Sequence, residues 1–236
     1  MTLPACVDER RFPDVETADR ALAEAIAKRL RSAVEQRGQA SLIVPGGRSP
    51  QTMLRVLGEQ PLTWSAVRVT VSDERFTSAD SPDNNCRQMR KLLMQGPAAV
   101  AEPIPLIETT ADPQGALAAA QANLARFPWP ADVTVLGLGA EGYVGSLFPG
   151  NPALSADYAE QALAVAARSP TPPHPRIALS PHALLMSRWI VLMVVGPEKA
   201  EVYRQALACG DPSVMPVCFL FQQQDVAVSV WLIDKK

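Results

Sequence analysis

Residues 132–150, reading DVTVLGLGAEGYVGSLFPG, constrain the fold more than any other stretch of the chain. Val133, Val135 and Leu136 fall in a short, mostly apolar run, the form a buried central strand takes. The run breaks on Gly137, Gly139 and Gly142, where the backbone can turn sharply and come close to a ligand. In open α/β sheets the ligand crevice lies outside that carboxyl end of the strands. The rest of the chain reads as the scaffold for this turn. Strands are expected over residues 41–44, 67–71, 104–107, 163–167, 177–179, 189–195 and 226–233. Helical patterns separate them. One opens at Thr17 as N-cap and stops at Gly38; others cover 51–57, the segment from the 81–85 turn to Leu93, 114–126, 181–186 and 197–208. Such alternation predicts a single domain over residues 1–236. Its fold class is α/β, doubly wound and Rossmann-like, with a mostly parallel sheet and helices on both faces.

Two further strand ends carry chemistry. Residues 41–44 run into Pro45-Gly46-Gly47-Arg48-Ser49-Pro50 and then a helix, an order that aims free backbone N–H groups and a helix dipole at an anion. It lacks the GxxxxGK[ST] pattern of a Walker loop, and an ordinary tight turn has the same look. Residues 67–71 end in Ser72-Asp73-Glu74-Arg75-Phe76, three consecutive charges that are costly to bury unless paired or bound to ligand. The plain alternative is a surface salt-bridge cluster. Lys199 lies in the first turn of its helix, where a cation opposes the dipole; a solvated lysine is the plain reading there. A stiff proline loop, residues 169–175, brings His174 next to Arg176.

Composition excludes several classes. With 22 basic against 24 acidic residues the net charge is −2, which argues against nucleic acid or an anionic membrane as partner. The longest apolar run falls far short of the roughly 20 residues that span a bilayer. Cys6, Cys86, Cys209 and Cys218 are scattered without CxxC spacing, as reduced thiols in a cytoplasmic protein are, and no metal site is expected. Residues 137–142 formally satisfy GxGxxG, but a Pro-Gly-Asn-Pro interruption follows quickly and Asp157 follows no strand, against a dinucleotide site.

Together these stretches resemble the 6-phosphogluconolactonase family, related to the glucosamine-6-phosphate deaminases. Pro45 to Pro50 is similar to its SGGxTP-type loop. Residues 72–76 are similar to its DERW-type strand end, and Asp83-Asn84-Asn85 to its DSN-type segment. Residues 137–150 resemble GxGxDGHTASLFPG, with Ser146-Leu147-Phe148-Pro149-Gly150 matching its end. Arg176-Ile177-Ala178-Leu179 and Gly196-Pro197-Glu198-Lys199 resemble RxTLT and GxxK segments. Arg75 after Asp73-Glu74 favours the lactonases, since the deaminases carry an aromatic residue there. The resemblance implies hydrolysis of 6-phospho-D-glucono-1,5-lactone in the pentose phosphate pathway, with no cofactor and no metal, by a monomer or small homo-oligomer. Gly46, Gly47, Arg48, Ser49, Arg75, Arg176 and Lys199 are the phosphate and substrate donors on this reading. Backbone N–H groups between Gly139 and Gly142 are the candidates for a developing oxyanion.

One departure bears on the chemistry. The family motif supplies a His as general base where this chain has Tyr143, and an Asp where it has Glu141. A tyrosine of pKa about 10 is only ~0.1% ionised at pH 7. The catalytic candidates are therefore Tyr143, Glu141 and Asp73, with His174 as a residue able to enter from its loop. Two other readings stand beside the lactonase: a phosphosugar-binding sensor or partner with reduced or lost catalysis, and a deaminase-like activity.

Overall fold

Strands whose side chains are buried on both faces form the centre of the molecule. In the computed structural model, which describes residues 3–108, 112–155, 162–172 and 174–234, β2 (Ala40–Val44), β6 (Val133–Gly137) and β9 (Ile190–Val195) are almost wholly buried. They join β3 (Val67–Val71), β10 (Val228–Ile233), β1 (Val7–Phe12) and β5 (Glu102–Pro103) in a seven-stranded parallel sheet of order β1-β10-β9-β6-β2-β3-β5.

The helices are α1 (Val15–Arg37), α2 (Gln51–Gly58), α3 (Asn85–Leu92), α4 (Pro113–Ala125), α5 (Pro181–Leu185) and α6 (Pro197–Cys209). Strand order runs outward from β2 through β3 to β5, and in the opposite sense from β6 through β9 to β10. Right-handed crossovers therefore put α2 and α3 on one face and α6 on the other. Helix α1 packs against α2. The reversal falls between β2 and β6, the topological switch point at which open α/β sheets bind ligands.

At the amino ends of these two strands Asp132 fixes their pairing. Its buried carboxylate accepts from the Ser41 N–H at 2.9 Å and pairs with Arg37, with Arg188 at 3.4 Å. No helix among the described residues is long and apolar enough to cross a membrane.

The alternating α/β pattern is as expected, with four corrections. Residues 163–167 and 177–179 do not extend the parallel sheet. As β7 (Ala164–Arg168) and β8 (Pro175–Leu179) they form a separate antiparallel sheet with β4 (Asp73–Arg75), of order β4-β8-β7. The strand expected over 104–107 is the short β5 instead, from which Ile104 still donates to the Val69 carbonyl at 2.8 Å. Helix α1 is capped by Asp14, whose carboxylate accepts from the Thr17 N–H at 2.7 Å; Thr17 already lies inside the helix. β1 was not anticipated. It is an edge strand with mainly its first residue buried, so it carries little apolar signal. Asp157, used against a dinucleotide site, and Pro173 of the proline loop lie outside the described residues.

Candidate active site

A cleft of 410 Å³ opens at the switch point. The loop after β2 gives one wall through Gly46, Gly47, Arg48 and Ser49, and the turn after β6 gives the other through Gly139 and Tyr143. Asp73 and Arg75 enter from β4, Arg176 from β8 and Lys199 from α6. The separate antiparallel sheet thus brings charged side chains to the carboxyl ends of the parallel strands. Of the catalytic and binding candidates read from the sequence, Glu141, Gly142 and His174 do not line the cleft.

Strand alternation resolves the charge cluster at β4. Successive side chains point to opposite sides, so Asp73 and Arg75 share one side and Glu74 faces the other. Glu74 is fully buried and works as a helix cap. It accepts from the backbone N–H groups of Asn85 and Cys86, both at 2.7 Å, and of Arg75 at 2.8 Å. Burial pushes its carboxyl up to about 6, against the lowering effect of those three donors.

Arg75 and Arg176 stand directly opposite each other in the β4–β8 pairing. Like charges in that position repel. Among the described residues neither forms a salt bridge; Arg75 donates to the Asp83 carbonyl at 2.7 Å and Arg176 to the Pro175 carbonyl at 3.1 Å. Burial, and then Arg75, hold the Arg176 guanidinium below its ordinary pKa. Two guanidiniums converging on one cleft without a carboxylate partner make a site for an anion.

The Asp73 carboxylate is held from both sides. Ser72 Oγ donates to Oδ1 at 3.0 Å and Ser146 Oγ donates to Oδ2 at 2.5 Å. Asn85 Nδ2 donates to the Asp73 carbonyl at 2.8 Å, and its Oδ1 is packed so closely that a Cβ at position 46 would sit 2.0 Å from it. Only glycine lets this loop approach the Asn85 side chain so closely.

Tyr143 lies across its own turn. A Cβ at Gly139 would meet the phenol ring at 2.3 Å, and the ring tilts onto Phe148 at a centroid distance of 4.4 Å. Burial, then the charges of Asp73 and Glu141, raise the Tyr143 pKa, so the phenol stays protonated at neutral pH. The oxyanion expectation also needs correcting in part. The Gly139 N–H donates to the Tyr143 carbonyl at 2.8 Å and the Gly142 N–H to the Gly139 carbonyl at 3.2 Å, so both serve the turn itself. Ala140 and Glu141 hold the two remaining candidate amides, and of these residues Ala140 lines the cleft. Glu141 is exposed outside the cleft, and His174 Nδ1 is engaged with the Ser169 carbonyl at 2.9 Å.

Lining residues not singled out from the sequence include Ser72, Asn85, Ser146, Phe148, Thr171 and Met193. Asn85 and Ser146 sat in motifs already noted, but only their tertiary contacts give them a role. Among the described residues no cluster of three or more His, Cys, Asp or Glu is arranged to hold a metal ion.

Both the sequence and the fold have relatives among known proteins. A curated 6-phosphogluconolactonase of Pseudomonas putida is 35% identical over 229 residues, covering 96% of this chain and 94% of its own length. One from Pseudomonas aeruginosa is 36% identical over 219 residues, with 92% of each covered. The crystal structure of a 6-phosphogluconolactonase from Shewanella baltica superposes with a TM-score of 0.91 at 36% identity, covering 98% of this chain and 99% of that one. The family model for glucosamine-6-phosphate isomerases/6-phosphogluconolactonase matches residues 13–231, and the chain belongs to that family.

Proposed function

We propose that this protein is a metal-independent 6-phosphogluconolactonase, hydrolysing 6-phospho-D-glucono-1,5-lactone to 6-phosphogluconate. The observation that carries this reading is the Arg75–Arg176 pair, two cross-strand guanidiniums with no salt-bridge partner among the described residues, facing a cleft that also holds a carboxylate. The substrate phosphate is taken by these arginines, by Lys199, and by the Gly46, Gly47, Arg48 and Ser49 loop at the head of α2. Attack on the lactone carbonyl then needs a base for water and donors for the oxyanion. Asp73 is the carboxylate that lines the cleft, and it takes the water proton. Ala140 and the Tyr143 hydroxyl are the donors nearest the turn. Glu141 contributes charge from outside, while Gly139 and Gly142 shape the turn. The C1–O5 ester bond breaks, and the ring oxygen leaves as the sugar hydroxyl with the proton that Asp73 took from water.

A second reading has one observation in its favour. The protonated Tyr143 stands where the family motif supplies an imidazole base, and this fits a phosphosugar-binding protein with little turnover. Initial-rate hydrolysis of freshly made 6-phosphoglucono-δ-lactone, corrected for spontaneous opening, separates the two. A lactonase gives turnover well above background, lost by at least about 100-fold in Asp73→Asn. In Arg75→Ala the KM rises about 10-fold or more, because one charge-assisted phosphate contact is gone. Background rates in the wild type with 6-phosphogluconate binding intact would establish the binder instead.

A further inference from the structure

Ser146 is the one non-glycine residue with positive φ among the described residues, at 59°. Its neighbours at left-handed angles, Gly142 at 72° and Gly145 at 52°, are glycines, the residue for which that conformation is free of steric cost. A serine held there is strained, and such strain persists where the surroundings fix it and the side chain has work to do. The side chain of Ser146 is buried at 6% exposure and lines the cleft, and its hydroxyl donates to Asp73 Oδ2.

The left-handed backbone aims the hydroxyl. Gly145 packs beside Ser72, whose own hydroxyl donates to the other Asp73 oxygen, so the two serines hold the carboxylate from opposite ends. The charged and titratable groups that face Asp73 are Glu74 and Arg75 on its own strand, Arg176 on β8 and Tyr143 in the facing turn, with Lys199 of α6 lining the same cleft. The Ser72 and Ser146 hydroxyls bond the carboxylate at one oxygen each, and with no imidazole at position 143 these two bonds help set the direction in which it points.

We infer that Ser146 is the positioning residue for the catalytic carboxylate. It is kept in a left-handed conformation so that its hydroxyl turns Asp73 toward the attacking water. The inference rests on Asp73 acting as the base. During the step the proton of water passes to Asp73 while Ser146 keeps its own, and no bond to Ser146 forms.

The experiment compares Ser146→Ala and Ser146→Gly with wild type and Asp73→Asn, following kcat, KM and melting temperature together. Alanine removes the hydroxyl and keeps the strain. Glycine removes both, so it folds at least as stably as the alanine variant. The expected result is a fall in kcat of roughly 10- to 100-fold in both, with KM within about threefold of wild type. If Ser146→Gly keeps wild-type kcat, the serine serves only the turn and the inference fails while the lactonase reading stands. If Asp73→Asn keeps wild-type kcat, the base reading itself fails.

Discussion

Tyr143 stands where the family motif has its imidazole, and burial with two neighbouring carboxylates outweighs Arg75 and Arg176 in keeping its proton on. Burial and the neighbouring Asp73 and Glu141 charges all disfavour a phenolate. An imidazole in that space has a reference pKa near 6.5 and is ready to accept a proton at neutral pH. Tyr143→His is therefore expected to raise kcat by roughly 10- to 100-fold with KM within about threefold, measured as lactone hydrolysis above the spontaneous rate. No gain would mean that an imidazole at position 143 does not reach the attacking water. At this scale the sequence was legible where local pattern decides: Gly46, Gly47, Arg75 and Arg176 sit on strand ends or in turns readable from spacing. It was silent where the sign of φ or a distant contact decides. Ser146 reads as one residue of a motif until its backbone angle and its bond to Asp73, 73 positions away, are seen.

Helix α3 is joined to the site through its amino end. Asn84 caps it locally, accepting from the Arg87 N–H at 2.7 Å, and Glu74 caps it from β4 through Asn85 and Cys86. Because Arg75 and Asp73 flank Glu74 on the same short strand, the cap also sets their height in the cleft. Glu74→Ala leaves three buried N–H groups without an acceptor. The expected cost is about 2 kcal/mol, or roughly 4–8 °C in melting temperature by calorimetry, and no change would show that water replaces the carboxylate. Long, periodic elements such as α1 and β9 were readable from apolar spacing alone. Strand direction was not: the apolar runs of β7 and β8 fit a parallel sheet as well as the antiparallel one they form, and only pairing with β4 distinguishes them. For β1 the reason is different. An edge strand buries too little of Val7–Phe12 to leave an apolar pattern.

Across the whole molecule, two buried carboxyls run against the usual direction of acid unfolding. Asp19 of α1 is fully buried and neither of its oxygens has a well-formed hydrogen bond; burial pushes it up to about 6, offset in part by the nearby Met53 N–H at the head of α2, which falls short of hydrogen-bond geometry. Glu74 is likewise pushed up to about 6. For an acid whose folded pKa is raised, the native state holds a proton that the unfolded chain has released. Stability therefore falls as pH rises from the ordinary carboxylate range through about 6, and levels off above it. The effect is isolated at one position. Asp19→Asn removes the buried charge while keeping the volume, without touching the cleft. At pH 7.5 the variant is expected to be more stable than wild type by about 1–3 kcal/mol, and at pH 4 the two should converge. Denaturant melts at both pH values, with kcat as a control, make the comparison. If Asp19→Asn is less stable by the same amount at both, then the carboxylate is ionised and satisfied by the α2 amides. The α1–α2 layer beneath the phosphate loop would then be held by that charge rather than strained by it.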